Sequence, residues 1–313
     1  MTEIGLGLAA LGRPAYINVG RVGALPADRS VDAMRAATWE VLDAAHAAGV
    51  RWVDVARSYG RAEEFLAGWL ADRAVGDMTV SSKWGYAYVG GWRLDAEVHE
   101  AKEHSLARFT QQWAESRALL GDRIALYQVH SLTADSPLFT DRPLLEALAG
   151  LASTDGVQVG FSTSGPAQAD TVERGLALEV DGQPVFTAVQ STWNVLEPSV
   201  GAALRQAHRD GIRVLAKETL ANGRLAAPAE GAPAPLIEVA ERHGVSPDAV
   251  AVAAVLAQPW VDTALVGPAS PEQLAGNLAA STVELTGDDT EQLATLAEPP
   301  DAYWSRRSAL PWR

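Results

Sequence analysis

Residues 123–161 read RIALYQVHSLTADSPLFTDRPLLEALAGLASTDGVQVGF. The run 123–130 is short, apolar and rich in branched and aromatic residues, as a buried strand is. The stretch 142–153 carries Leu and Ala at helical spacing. Pro143 stands near its start, where proline's fixed φ and missing N–H do no harm. The run 156–161 is strand-like again. Working outward, the same alternation continues. Strand-like runs fall at 4–8, 51–55, 78–83, 185–190, 212–217 and 262–266. Helical stretches fall at 32–48, 61–74, 95–120, 165–179, 198–210, 247–257 and 270–280, and Pro166, Pro198, Pro247 and Pro271 sit near the starts of four of them. Eight strands alternating with about eight helices predict an α/β fold with parallel strands, most simply a (β/α)8 TIM barrel. A doubly wound sheet would carry a Gly-rich fingerprint after the first strand. Gly5, Gly7 and Gly12, followed by Arg13-Pro14, have the wrong spacing. No change of composition divides the chain, so one barrel domain over 1–313 is expected. The Ala-, Pro- and Gly-rich segment 226–235 reads as a loop, and 299–313, with Tyr303, Trp304 and Trp312, as a tail folded over the rim of the barrel.

The chain has 313 residues and a formal net charge of −14, which argues against a nucleic-acid partner held through a basic face. It has no cysteine, which excludes disulfides, thiolate metal sites and a Cys nucleophile. Neither a leader nor a membrane span is read, since the longest apolar run, 249–257, falls far below the roughly 20 residues a span needs. A cytoplasmic protein without a membrane partner is expected, as a monomer or a small homo-oligomer. Of 25 basic residues only Lys83, Lys102 and Lys217 are lysine.

In a barrel of this kind reactive groups sit at the C-terminal ends of the strands. Those positions give Asp54 and Tyr59, Lys83, His130, Ser162 and Thr163, Gln190, and Lys217. Singly, Asp54 reads as a turn residue, Tyr59 as packing and His130 as a satisfied core histidine. Lys83 is harder to dismiss in a chain that prefers arginine. Their joint occurrence at one rim reverses those odds.

These segments resemble the aldo-keto reductase superfamily. The matching motifs are Asp54-Val55-Ala56-Arg57-Ser58-Tyr59-Gly60, Val80-Ser81-Ser82-Lys83, Leu126-Tyr127-Gln128-Val129-His130, Gly160-Phe161-Ser162-Thr163 and Val189-Gln190-Ser191-Thr192-Trp193-Asn194. The resemblance implies an NAD(P)-dependent oxidoreductase that moves a hydride between a nicotinamide cofactor and a small carbonyl, alcohol or sugar substrate. It makes Tyr59 the general acid, Lys83 the cation that lowers its pKa, Asp54 the counter-ion and His130 an orienting group. Ser162, Thr163 and Gln190 would hold the carboxamide. Lys217, Leu220, Asn222, Gly223 and Arg224, and then Gly267, Ser270, Gln273 and Asn277, would line the rest of the cofactor site. Sugar-lactol dehydrogenases share the overall pattern, so aldose oxidation is an option.

The chain also departs from the family. Thr163 replaces a common Asn. Lys217 stands where an aromatic usually stacks on the nicotinamide, and either pairs with Glu218 or faces a cofactor oxygen. Ala269 and Gln273 replace basic residues, which leaves NAD or NADP open. Only three residues precede the first strand, so a hairpin plugging the barrel floor is not expected. Trp84, Tyr86, Trp92 and Trp304 are the expected substrate contacts, Trp84 foremost. The run 99–104, HEAKEH, reads as a solvated charged helix, because its two His are five apart and not the four of a zinc helix. No metal cluster is expected. The rival class is a cofactor-binding regulatory or sensor protein with little turnover, which an intact Asp54, Tyr59, Lys83 and His130 set argues against.

Overall fold

A computed structural model describes residues 2–17, 19, 23–226 and 232–312. Its strands are β1 (Glu3–Gly7), β2 (Trp52–Asp54), β3 (Thr79–Trp84), β4 (Tyr86–Tyr88), β5 (Glu100–Lys102), β6 (Ile124–Leu132), β7 (Gln158–Thr163), β8 (Glu179–Val180), β9 (Gln183–Pro184), β10 (Ala188–Thr192), β11 (Arg213–Lys217) and β12 (Thr263–Val266). Its α-helices are α1 (Val31–Ala47), α2 (Ala62–Asp72), α3 (Leu106–Leu120), α4 (Arg142–Asp155), α5 (Gln168–Leu176), α6 (Gly201–Arg209), α7 (Ala234–His243), α8 (Pro247–Leu256), α9 (Pro271–Leu278), α10 (Gly287–Ala294) and α11 (Pro300–Ser308). Strands close into a barrel in the order β1-β12-β11-β10-β7-β6-β3-β2. Every neighbouring pair is parallel. All eight strand-like runs of the sequence are barrel strands. The fold is the (β/α)8 barrel expected.

Side chains alternate across a strand, so every second residue points into the barrel. Trp52, Leu126, Ala188, Leu215 and Leu265, from five strands, meet in one apolar cluster at mid-height. Gly5 leaves room for it, since a Cβ there would lie 3.0 Å or less from Leu265, Thr263 and Trp52. Two residues further along four of these strands stand Asp54, Gln128, Gln190 and Lys217, all polar. The barrel is therefore filled below and chemically armed above. Its outer face packs against the helices in one large cluster that includes Met34, Leu42, Phe65, Leu66, Leu148, Phe161 and Leu204.

The differences from the sequence reading lie outside the barrel. The helix expected over 95–120 begins only at Leu106. The run 99–104 is not a solvated helix: residues 100–102 form β5, which pairs antiparallel with β4. His99 and His104 are both buried. His104 is fixed from two sides, by Ser136 Oγ at 2.8 Å from Nδ1 and the His130 carbonyl at 2.9 Å from Nε2. Helices α7, α10 and α11 had no expectation. Of the loop expected over 226–235, residues 227–231 lie outside the described residues, and α7 starts at Ala234. Tyr303 and Trp304 of the tail are buried against Leu225, Leu236 and Val239. Among the described residues no helix is long and apolar enough to cross a membrane.

The loop after β2 presses on the loop after β1. Arg61 N donates to the Gly12 carbonyl at 2.7 Å. A Cβ on Gly12 would stand 2.3 Å from the Tyr59 carbonyl and 2.5 Å from Ala62 Cβ, so something there would have to shift. Gly60 has φ +60°, a conformation that suits glycine. We predict that Gly12→Ala destabilises the protein by at least about 1–3 kcal/mol, the usual cost of overpacking. It also displaces Tyr59. Urea unfolding and activity measured together check this: both should fall.

Candidate active site

Above the apolar layer opens a cavity of about 1060 Å³, lined in part by Asp54, Tyr59, Tyr86, His130, Gln190 and Lys217. Its chemical centre is a buried ion pair. Lys83 is fully buried and Asp54 nearly so. Lys83 Nζ donates to Asp54 Oδ2, to the Val55 carbonyl at 3.0 Å and to Tyr59 Oη at 3.3 Å. Asp54 Oδ1 accepts from Ser81 Oγ at 2.7 Å, Gln190 Nε2 at 3.1 Å and Gln128 Nε2 at 3.4 Å. Strands β2, β3, β6 and β10 thus converge on one carboxylate. The ring of His130 meets that of Tyr59 edge-on at 5.5 Å, and its Nδ1 shares a hydrogen bond with Ser58 Oγ at 3.2 Å.

Burial, and then the Asp54 carboxylate, push the Tyr59 phenol well above its ordinary value. Burial and Asp54 thus outweigh the lowering expected of Lys83. Burial, helped by the Lys83 and Lys217 charges, pushes His130 well below its ordinary value, so the imidazole is neutral. Arg13 adds a further charge behind Tyr59. Its guanidinium lies 5.1 Å from the Tyr59 ring, 4.5 Å from Tyr16 and 4.9 Å from Trp312, and bonds Glu100 at 2.7 Å.

The rim after β11 is strained and charged. Glu218, Ala221 and Asn222 all have positive φ. Lys217 Nζ donates to Thr192 Oγ1 at 2.8 Å and stands 3.8 Å from Glu218. Arg307 of α11 grips Glu218 through Nε at 2.9 Å and Nη2 at 2.5 Å. Burial alone would raise the Glu218 carboxyl, but Arg307 and Lys217 outweigh it and bring the carboxyl down to about 2.

Of the residues expected to hold a cofactor, Gln190, Lys217, Leu220, Asn222, Gly223, Arg224, Gly267, Gln273 and Asn277 line the cavity. Ser162, Thr163 and Ser270 do not. Ser162 is buried, and its Oγ accepts from Ser131 N at 2.8 Å. Thr163, one residue on, turns away from the barrel interior and meets Ser191 Oγ at 2.7 Å and Gln168 of α5. Ser270 caps α9 by accepting from Gln273 N.

Three of the four expected substrate contacts lie elsewhere. Trp84, adjacent to Lys83, points to the opposite face of β3 and packs on Phe109 at 5.1 Å. Trp92 packs on Phe65 at 6.2 Å and donates to the Arg29 carbonyl at 2.7 Å. Trp304, on the tail itself, is buried in the cluster with Leu225, Leu236 and Val239. Only Tyr86 lines the cavity, 5.0 Å from the His130 ring. The sequence reading missed Arg13, Tyr16, Glu100, Asp248 and Arg307, which also line it. Arg13 and Tyr16 flank Pro14 in an aperiodic loop, and Glu100 was placed on a helix that does not form. Among the described residues no group of His, Cys, Asp and Glu could hold a metal.

The parallel eight-stranded barrel thus gathers tyrosine, lysine, aspartate and histidine at its C-terminal rim. The sequence model described as the Aldo/keto reductase family matches residues 3–298, and the chain belongs to that family. Its members are generally NAD(P)-dependent oxidoreductases acting on small carbonyl compounds. The aldo-keto reductase str7 of Strobilurus tenacellus is 25% identical over 304 residues, covering 87% of this chain and 84% of that protein. Protein tas of Escherichia coli is 26% identical over 302 residues, covering 79% and 85%. The holo form of an aldo-keto reductase from Bacillus halodurans superposes with a TM-score of 0.68 over 95% of this chain and 92% of that one. At 20% identity, that likeness speaks to the fold.

Two predictions follow from the charges. Removing one partner of a buried ion pair strands the other, at a cost of about 3–5 kcal/mol. Lys83→Met should therefore lose that much unfolding free energy in urea, and Asp54→Asn/Lys83→Met should lose less than the two single changes summed. A Glu218 carboxyl depressed when folded contributes stability above the ordinary value of 4.5, lost as pH falls toward about 2. Glu218→Gln should be less stable at neutral pH, yet its unfolding free energy should fall less steeply with acid across that window.

Proposed function

We propose that this protein catalyses reversible hydride transfer between a nicotinamide cofactor and a small carbonyl compound, with Tyr59 as the proton donor and acceptor. The observation that carries the reading is Lys83 Nζ at 3.3 Å from Tyr59 Oη, with Asp54 behind it, at the wall of the cavity. A phenol held above its ordinary value rests protonated at neutral pH, which is the form an acid needs. Once the proton leaves, the Lys83 donor already aimed at Oη stabilises the phenolate. The neutral His130 ring beside it can orient an oxygen without adding charge.

The residues present fit a dinucleotide. Asn277 lines the cavity and is buried, and its Oδ1 has no hydrogen-bond partner. A buried acceptor without a donor is costly, and a ligand N–H relieves it. The cavity also exceeds the roughly 300–1,000 Å³ of sites for drug-sized ligands. When bound, a nicotinamide supplies the hydride. The chain's own residues hold the substrate oxygen and move the proton at Tyr59 Oη.

The arm of the cavity beside α9 favours NAD over NADP. Asp248 and Glu272 line the cavity with Gln273 and Asn277, and Arg224, which also lines it, is taken by Glu298. A further phosphate beside Asp248 and Glu272 meets two negative charges.

Tyr59→Phe keeps the ring and removes the proton donor. We predict at least a hundredfold loss of kcat in NADH oxidation with a reactive aldehyde, within the range assigned to general acid catalysis. Dinucleotide affinity, read by fluorescence, should change little. Unchanged turnover in Tyr59→Phe overturns the assignment. NADH should bind more tightly than NADPH, with the gap narrowing as salt screens Asp248 and Glu272.

A further inference from the structure

Lys217 ends β11 and lines the same cavity as Tyr59, His130 and Gln190. Its side chain is 15% exposed, so the ammonium has given up most of its water. An ammonium has three N–H donors. One goes to Thr192 Oγ1 at 2.8 Å, and among the described residues that is the only hydrogen bond Nζ makes. The nearest carboxylate oxygen, on Glu218, is 3.8 Å away, beyond hydrogen-bond reach. Glu218 is committed elsewhere. Arg307 bonds it through two nitrogens, and Thr192 Oγ1 donates to its Oε2 at 3.3 Å. Around the cavity centre Asp54 takes Lys83, Glu100 takes Arg13 and Glu218 takes Arg307. Among the described residues Lys217 keeps two donors without an acceptor, and it lines the open cavity. A charge withdrawn from water and left under-bonded is costly unless a partner arrives.

We infer that Lys217 receives an anionic oxygen of a ligand next to the reacting centre, so that this protein acts on carbonyl compounds bearing a carboxylate or phosphate. The word substrate here rests on the reductase reading above. The phosphates of a dinucleotide carry the same chemistry, and the experiment separates the two sources. Arginine at this position would keep the charge, and methionine would keep the stem and lose it.

The experiment compares wild type, Lys217→Met and Lys217→Arg in three assays. The first is the ratio of kcat/KM for succinic semialdehyde to that for butanal, two aldehydes that differ in one carboxylate. The second is calorimetric titration with succinate and with inorganic phosphate, which needs no turnover. The third is NADH affinity by fluorescence. A hydrogen bond to a charged group corresponds to about a tenfold to hundredfold effect. The expected result is that Lys217→Met lowers the aldehyde ratio by that factor and weakens succinate or phosphate binding to match. Lys217→Arg should retain much of both. Loss of NADH affinity with an unchanged aldehyde ratio places the anion on the cofactor and overturns the inference about the substrate. If the aldehyde ratio, anion binding and NADH affinity are all the same in Lys217→Met and wild type, the inference is overturned. If wild type turns over neither aldehyde and binds no NADH, the reductase reading fails, and the succinate and phosphate titrations still decide the anion site.

A pH series on wild type gives a test independent of any variant's folding. Burial pushes Lys217 down to about 8. The charged and titratable groups around it are Glu218 beside it, Arg307 of α11, Asp54 and Lys83, which pair with each other, and His130. Glu218 stays anionic, Arg307 cationic and His130 neutral above pH 7. Succinate binding should therefore weaken as pH rises through about 8, and affinity independent of pH across that range overturns the inference.

Discussion

A lysine with no exposed surface must have an anion within reach, and at the mouth of this barrel that anion is Asp54. The pair settles more than a charge balance. Asp54 spends one oxygen on Lys83 and the other on Ser81, Gln190 and Gln128. With Asp54 itself these groups come from four strands, β2, β3 and β6, which neighbour one another in the barrel, and β10, which stands beyond β6 with β7 between. A slip of one residue in any of them would turn its polar side chain out and an apolar neighbour in. The carboxylate therefore reads the register of half the barrel. Once Lys83 is held this way, its remaining reach toward Tyr59 Oη follows from the position of the loop after β2.

That loop is held by contacts of another kind. Among the described residues no side-chain hydrogen bond ties Tyr59 down apart from the one Lys83 donates. Tyr59 sits where it does because Gly12 and Gly60 let two loops approach to backbone contact, and because the rings of His130 and the guanidinium of Arg13 flank it. Electrostatics fixes the lysine and sterics fixes the phenol. The two constraints meet at a single 3.3 Å contact, which is why the chemistry concentrates there.

The barrel and its rim were legible in the sequence because both follow from period. Buried parallel strands announce themselves as short apolar runs, and the strand end marks the rim. Trp84 shows the same rule applied one step short. Lys83 points inward, so Trp84 must point outward, and the two-residue period already excludes it from the cavity floor. Thr163 next to Ser162 follows the same logic. What period cannot supply is which loop folds over the mouth. Glu100 reaches the cavity through an antiparallel pairing with β4 across a loop with no repeating pattern. His99 and His104 are buried by partners distant in sequence, Trp312 and Ser136, so their charged surroundings pointed the wrong way. Arg307 comes from a helix whose polar sequence gives little sign of what it covers.

That last helix bears on the chemistry through one carboxylate. Arg307 of α11 is better placed on Glu218 than Lys217 is, because its planar fork makes two bonds where the ammonium makes none. The tail thereby takes the natural counter-ion away from the rim lysine. Without Arg307, Lys217 and Glu218, adjacent in sequence, would neutralise each other. With it, the pair becomes a satisfied salt bridge to the tail and an under-bonded ammonium at the cavity. A chain with a net charge of −14 repels anions at long range. Attraction for an anionic ligand then has to come from short-range donors at a desolvated site, which is the situation α11 creates at Lys217.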